Sequence, residues 1–259
     1  MDQRPPPDRP LALLSNDDGY RSEGLRAMRV GLVEAGFNVV TLAPETEQSA
    51  SSHSLSLNRA MRLRPVETGV FALDGTPADC VYVALHAGTR VLPRRPDVVV
   101  SGINHGMNLG QDAFYSGTIA AAREGALRGI PAVAASAHPS LDLGPVAAAT
   151  ADLATRALAI RQRQGCLLSL NFPPAWKGQF RAAHLGTRFY DEIVDFRRDP
   201  RGREYLWVGG PAVRHERDAG SDTDAYDDGF ASITPLLLDL TNERELDTVA
   251  KLVGREGRG

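Results

Sequence analysis

The chain has 259 residues, 42% of them hydrophobic and 24% charged, with a formal net charge of −3. This near-average composition excludes a wholly disordered chain, a coiled coil and a collagen-like fibre. With no net basic field, general electrostatic binding to a nucleic-acid duplex is excluded as well. Two cysteines, Cys80 and Cys166, are too few for a disulfide framework and lack metal-ligand spacing, so a reduced, cytoplasmic chain is expected. No segment approaches the roughly 18 uncharged apolar residues of a membrane span.

Residues 1–10 are polar and proline-rich and read as a disordered leader; residues 11–259 read as one α/β domain. LALLS (11–15) is a short apolar run, like a strand buried on both faces, and it ends in Asn-Asp-Asp-Gly, which is turn chemistry. Leu25, Met28 and Leu32 then fall at helical spacing, with Gly36 as the stop. FNVVTLAP makes a second strand. This strand–loop–helix–strand order opens a doubly wound sheet.

A polar, serine-rich loop follows (44–58), then two short antiparallel pieces at MRLR and VFAL. Thr76-Pro77 reads as N-cap and first residue of a helix running to about residue 87. PDVVVS (96–101) is a buried strand, and 102–117 is a glycine-rich loop before a helix over 118–128. IPAVAAS, a helix over 145–163 and CLLSLNFP complete the rhythm. Residues 180–235 mix short strands and charges and read as a protruding arm for oligomerisation. LLLDLT (236–241) is expected as a late strand and 242–254 as a terminal helix.

The chemistry collects at strand ends. Asp17 and Asp18 directly follow the first strand, where open α/β sheets bind ligands. Adjacent carboxylates repel unless a cation joins them, and oxygen donors favour Mg²⁺, Mn²⁺ or Ca²⁺. A solvated turn is the plain alternative. Asn104 follows the 96–101 strand on the same edge and offers an amide oxygen. Ser116-Gly117-Thr118 opens a helix, whose free N–H groups suit a phosphate. The serines at 49, 51, 52, 54 and 56 offer hydroxyls from a second loop. His53 and His105 sit in these two loops, able to orient a ligating group, transfer a proton or simply hydrogen-bond. P-loop, dinucleotide and nucleophile-elbow signatures are missing. SDTDAYDDG (221–229) fails the spacing of a calcium loop.

Five segments in order, SNDDGY, APETEQSASSHSLSL, DGTPADC, VVSGINHGMNLGQDAFYSGTIAAAREGA and TDAYDDGFASITPLLLDLT, resemble the SurE (survival protein E) family of metal-dependent 5'/3'-nucleotidases. The resemblance implies a Rossmann-like, mostly parallel α/β core with a protruding C-terminal arm, and one divalent cation per subunit, Mg²⁺ or Mn²⁺, on Asp17, Asp18, Ser49 and Asn104. It implies phosphate binding by Asn108, Ser116, Gly117 and Thr118, with Asp17, Asn108 and Ser116 as catalytic residues. It further implies a nucleoside monophosphate substrate, and a homodimer or homotetramer built through the C-terminal arm. The leader is longer than this resemblance leads one to expect, and Gln48 stands where a basic residue often precedes the serine. Hydrolysis of another phosphate ester or of polyphosphate, and nucleotide sensing without turnover, are the alternative functions.

Overall fold

The computed structural model describes residues 9–159, 166–190, 194–209 and 213–253; the expected leader lies almost wholly outside them. Strand β1, Leu11–Ser15, is buried at all five positions, as an uninterrupted apolar run requires when both faces of a sheet are covered. Helix α1, Glu23–Glu34, starts where the Ser22 hydroxyl accepts the Leu25 N–H, and it buries Leu25, Met28 and Leu32. Strand β2 (Asn38–Pro44) returns parallel to β1. Strands β3 (Leu63–Glu67) and β4 (Val70–Leu73) form the expected antiparallel pair, and β4 joins β2 in parallel. Helix α2, Pro77–His86, carries a reciprocal cap. Asp79 N–H donates to the Thr76 hydroxyl, and Thr76 N–H donates to the Asp79 carboxylate.

Strand β5, Val98–His105, runs on into the expected glycine loop. Its register to the next strand shifts between Ser101 and Asn104. Helices α3 (Asp112–Tyr115) and α4 (Gly117–Leu127) follow, then β6 (Ala132–Ala137), α5 (Leu143–Ala157) and β7 (Leu167–Phe172). Helix α5 starts two residues earlier than expected. The end of its expected span, residues 160–163, lies outside the described residues.

Of the segment expected as an arm, β8 (Phe180–Ala182) sits in the main sheet. Strands β9 (Arg188–Tyr190), β10 (Val194–Arg198), β11 (Glu204–Val208) and β12 (Val213–His215) pair as β10 with β11 and β9 with β12, apart from that sheet. Helix α6 (Asp222–Asp227) leads to β13 (Ala231–Pro235). β13 pairs antiparallel with β7 and parallel with β8.

The late strand is therefore ASITP, not LLLDLT. Its ladder on β7 runs from Ser232 opposite Asn171 to Pro235 opposite Leu168. One further bond, Leu236 N–H to Leu167 carbonyl, reaches the first residue of β7, and Leu237 and Leu240 then stand exposed. The terminal helix α7 spans Leu246–Leu252, after a 3-10 turn over Glu243–Glu245.

The nine-stranded sheet has the order β3-β4-β2-β1-β5-β6-β7-β13-β8. The chain leaves β1 for β2 on one side and later adds β5, β6 and β7 on the other. The switch point lies between β1 and β5, where such sheets open a crevice at the carboxyl ends of their strands. One apolar layer packs Leu25, Met28 and Leu32 of α1 with Val146 and Ala147 of α5. The opposite layer packs Val81 and Ala84 of α2 with Ile119 and Ala122 of α4. Among the described residues, no helix is long and apolar enough to cross a membrane. Cys80 and Cys166 are free and buried.

Candidate active site

Asp17 and Asp18 leave β1 at the switch point. Asp17 is 6% exposed, and one of its oxygens, Oδ1, accepts the Thr118 hydroxyl. Its backbone carbonyl accepts the Gln48 N–H at 2.8 Å, which seats the serine loop beside it. Burial pushes the Asp17 carboxyl up from its ordinary 3.8 to about 6, and the neighbouring Asp18 adds to the rise. Asp18 is raised too, first by burial and then by Glu47, against a hydrogen bond at 3.2 Å from the backbone N–H of His105. Among the described residues, neither aspartate has a lysine or arginine partner.

Gly117 explains how α4 comes so near. A Cβ there would lie 2.9 Å from the Asp17 Cβ, 2.9 Å from the Ser51 Oγ and 3.0 Å from the Asp17 Oδ2. Only a residue without a side chain lets the first turn of this helix close on the carboxylate. Ser116 caps the helix, its Oγ accepting the Ile119 N–H at 3.1 Å. Thr118 turns both its hydroxyl and its backbone N–H to the Asp17 carboxylate, so at the start of this helix the Gly117 N–H and the Ser116 hydroxyl hydrogen are the groups left to meet an anion.

The other expected residues are spread along the same edge. The Asn104 amide nitrogen donates to the Gly106 carbonyl at 2.9 Å, which leaves its oxygen as the atom able to ligate. The Ser49 hydroxyl donates to Glu47 Oε1 at 2.7 Å rather than to either aspartate; Glu47 in turn is close enough to raise Asp18. Asn108 is nearly buried, and its amide nitrogen donates to the Ser136 hydroxyl at 2.7 Å. The geometry thus joins Asp17, Gly117 and Thr118 directly, sets Asp18 on the end of β5, and leaves Ser49 and Asn108 engaged with neighbours.

His53 is not a free proton carrier. Its Nε2 lies 2.9 Å from the carboxylate of Glu124, a buried residue of α4 whose other oxygen takes Arg128 at 2.9 Å. This pairing fastens the serine loop to the helix that begins at Gly117. Sequence reasoning passed over Glu124, although a lone acid among the alanines and leucine of α4 was a visible signal. It also passed over Ser136 and Asn171, which stand near the carboxyl ends of β6 and β7, the rule that found Asn104.

A hard divalent cation fits this donor set. Buried Asp17 and half-buried Asp18 stand side by side, without a basic partner among the described residues, and Asn16 Oδ1 and Ser51 Oγ nearby are buried without a hydrogen bond. Among the described residues no group of three or more His, Cys, Asp or Glu is arranged for a metal, so a zinc-type centre is not what these atoms form. A groove lined by Arg95, Pro96, Asp97 and Pro131 lies by the amino ends of β5 and β6, the opposite edge from this crevice.

The sequence matches the family model described as Survival protein SurE over residues 12–192. It is 59% identical to the 5'-nucleotidase SurE of Sorangium cellulosum, across 90% of this chain and 91% of that one. To the 5'-nucleotidase SurE of Myxococcus xanthus it is 43% identical, across 90% of each. The crystal structure of the SurE protein from Aquifex aeolicus superposes with a TM-score of 0.80 at 34% identity, covering 94% of this chain and all of that one. With the Asp17–Asp18 turn set against the first turn of α4 on a sheet of this order, the chain belongs to the SurE family.

Proposed function

We propose that the chain is a phosphatase that hydrolyses nucleoside 5'- and 3'-monophosphates to nucleoside and phosphate, with one divalent cation, Mg²⁺ or Mn²⁺, per subunit. The observation that carries this reading is the contact of Asp17 with Gly117 and Thr118. It brings a carboxylate pair and an anion-binding helix end to one point. The names of the relatives support the substrate class.

Asp17, Asp18, Ser49 and Asn104 would hold the cation. When bound, it offsets phosphate charge and lowers the pKa of a coordinated water. The first turn of α4 holds the phosphoryl oxygens through the Ser116 hydroxyl and the Gly117 N–H, with Thr118 anchoring that turn to Asp17. Asn108 approaches from the glycine loop. Thr118 occupies Oδ1 of Asp17, which leaves Oδ2 to orient the attacking water and take its proton. The new bond forms from water oxygen to phosphorus, and the bond from phosphorus to the ribose oxygen breaks. The departing oxygen takes a proton from solvent.

A homodimer or homotetramer through the arm belongs to the same proposal, supported by exposed Phe196, Trp207 and Val208 on β10 and β11. A cytoplasmic setting is supported by the two free cysteines. Phosphate release from a nucleotide panel, with chelator and with Mg²⁺, Mn²⁺, Ca²⁺ or Zn²⁺ restored, tests the reading. Activity that survives complete chelation, or release from polyphosphate alone, defeats it.

A further inference from the structure

The loop from Gly106 to Gln111 carries Asn108 and leads into α3 and then the first turn of α4. Its hold comes from elsewhere in the chain. Asn171, at the carboxyl end of β7 and 1% exposed, clamps the backbone of Asn108 with its side-chain amide. Its Oδ1 accepts the Asn108 N–H at 2.8 Å, and its Nδ2 donates to the Asn108 carbonyl at 3.2 Å. Ser136, on β6 and also 1% exposed, accepts the Asn108 amide nitrogen at 2.7 Å. Two residues further along, the Gly110 N–H donates at 2.9 Å to Asp222, a fully buried carboxylate at the start of α6. The second oxygen of Asp222 accepts the Gly186 N–H at 2.8 Å.

A buried amide or carboxylate is costly unless each bond is made, and once made such a network holds a single geometry. We propose that Asn171, Ser136 and Asp222 are positioning residues that fix the glycine loop, and with it Asn108, against the phosphate. This rests on the phosphatase reading above. It also gives the 221–229 run a role: its buried aspartate grips a backbone N–H of the active-site loop instead of a calcium ion. Asn171 and Ser136 set the Asn108 backbone and side chain, and Asp222 pins the loop two residues on. None of the three needs to touch substrate, because each acts through the loop.

The test uses the full-length chain and the variants Ser136→Ala, Asn171→Ala, Asp222→Asn and Asn108→Ala, with Ser136→Ala and Asn171→Ala also placed in the Asn108→Ala background. Readouts are kcat and KM for a nucleoside monophosphate, inhibition by inorganic phosphate, calorimetric binding of inorganic phosphate, and Tm. Ser136→Ala, Asn171→Ala and Asp222→Asn should each weaken phosphate binding on the order of tenfold or more, since small misplacements of a binding group are costly. In the Asn108→Ala background the Ser136→Ala and Asn171→Ala effects should shrink below about twofold, the non-additivity expected of groups acting through one residue.

A merely structural role would lower Tm while leaving phosphate binding within about twofold, and that result overturns the proposal. So does an equally large effect in the Asn108→Ala background. If Asn171→Ala fails to fold, Ser136→Ala decides, because it removes one hydroxyl. A wild-type chain that binds phosphate but releases none from nucleotides sinks the phosphatase reading alone. Normal turnover with variants that bind phosphate as tightly as wild type sinks the clamp alone.

Discussion

Asp17→Asn should make the cation-free chain more stable while abolishing its activity. Burial lifts the carboxyl from 3.8 to about 6, which corresponds to ~3 kcal/mol held against the ionised form. Asparagine keeps an oxygen for the Thr118 hydroxyl and carries no charge. An acid whose pKa is higher folded than unfolded binds protons on folding. The wild-type chain therefore loses stability as pH rises from 3.8, and the loss is complete above about 6. Asparagine shows no such loss. In EDTA the two chains should melt together near pH ~4, and by pH ~7 the variant should melt roughly 6–12 °C higher, the shift ~3 kcal/mol gives in a chain this long. Excess Mn²⁺ should reverse the order, because only the wild type keeps the full ligand set. Scanning calorimetry across pH, with and without Mn²⁺, is the assay. Equal melting temperatures in EDTA at every pH would refute the claim that this carboxylate is held ready for a cation.

Gly117→Ala should reduce kcat/KM by about 100-fold, because its methyl would crowd Asp17 and Ser51 at 2.9 Å; a steady-state assay with a nucleoside monophosphate showing under a fivefold change would contradict the packing argument. His53→Ala should cost about 1–3 kcal/mol by leaving buried Glu124 short of a partner, and His53→Gln should recover much of it; an unchanged urea midpoint for His53→Ala counts against the latch. Cation at about 100 times its Kd should stabilise the wild-type chain by ~2.7 kcal/mol, read as a Tm rise absent from the Asp17→Asn, Asp18→Asn double variant. Trp207→Glu on exposed β11 should shift sedimentation towards monomer, and an unchanged profile would remove β11 from the proposed assembly surface.

The elements set by local chemistry were legible in the sequence. An unbroken apolar run followed by Asn-Asp-Asp-Gly announced β1 and its turn, and Thr76-Pro77 announced the capped start of α2. The edge rule for parallel sheets led to Asp17, Asp18 and Asn104. What depended on distant partners was not legible. Thr118 bonds Asp17 across 101 positions, Asn108 and Asn171 pair across 63, and Asp222 reaches Gly110 across 112. LLLDLT is more apolar than ASITP, yet ASITP is the strand, because β7 runs out of partners at Leu167. Hydrophobicity states what can be buried; only the neighbouring strand decides where the ladder stops.

The segment between β8 and β13 returns to the sheet beside the point where it leaves, since those two strands are neighbours. Tyr190 pairs with Val213 on the last rung of β9 with β12, and the attachments to Gln111, Asp112 and Asp222 are made by Gly186, Arg188 and Tyr190 itself. Everything distal to Tyr190 and Val213 can therefore be excised and the stumps joined by a tight hairpin turn without severing one of those attachments. Protein engineers have in this layout a graft point, at which foreign loops can replace the stretch between Tyr190 and Val213 while the loop around Gln111 and Asp112 keeps its footing.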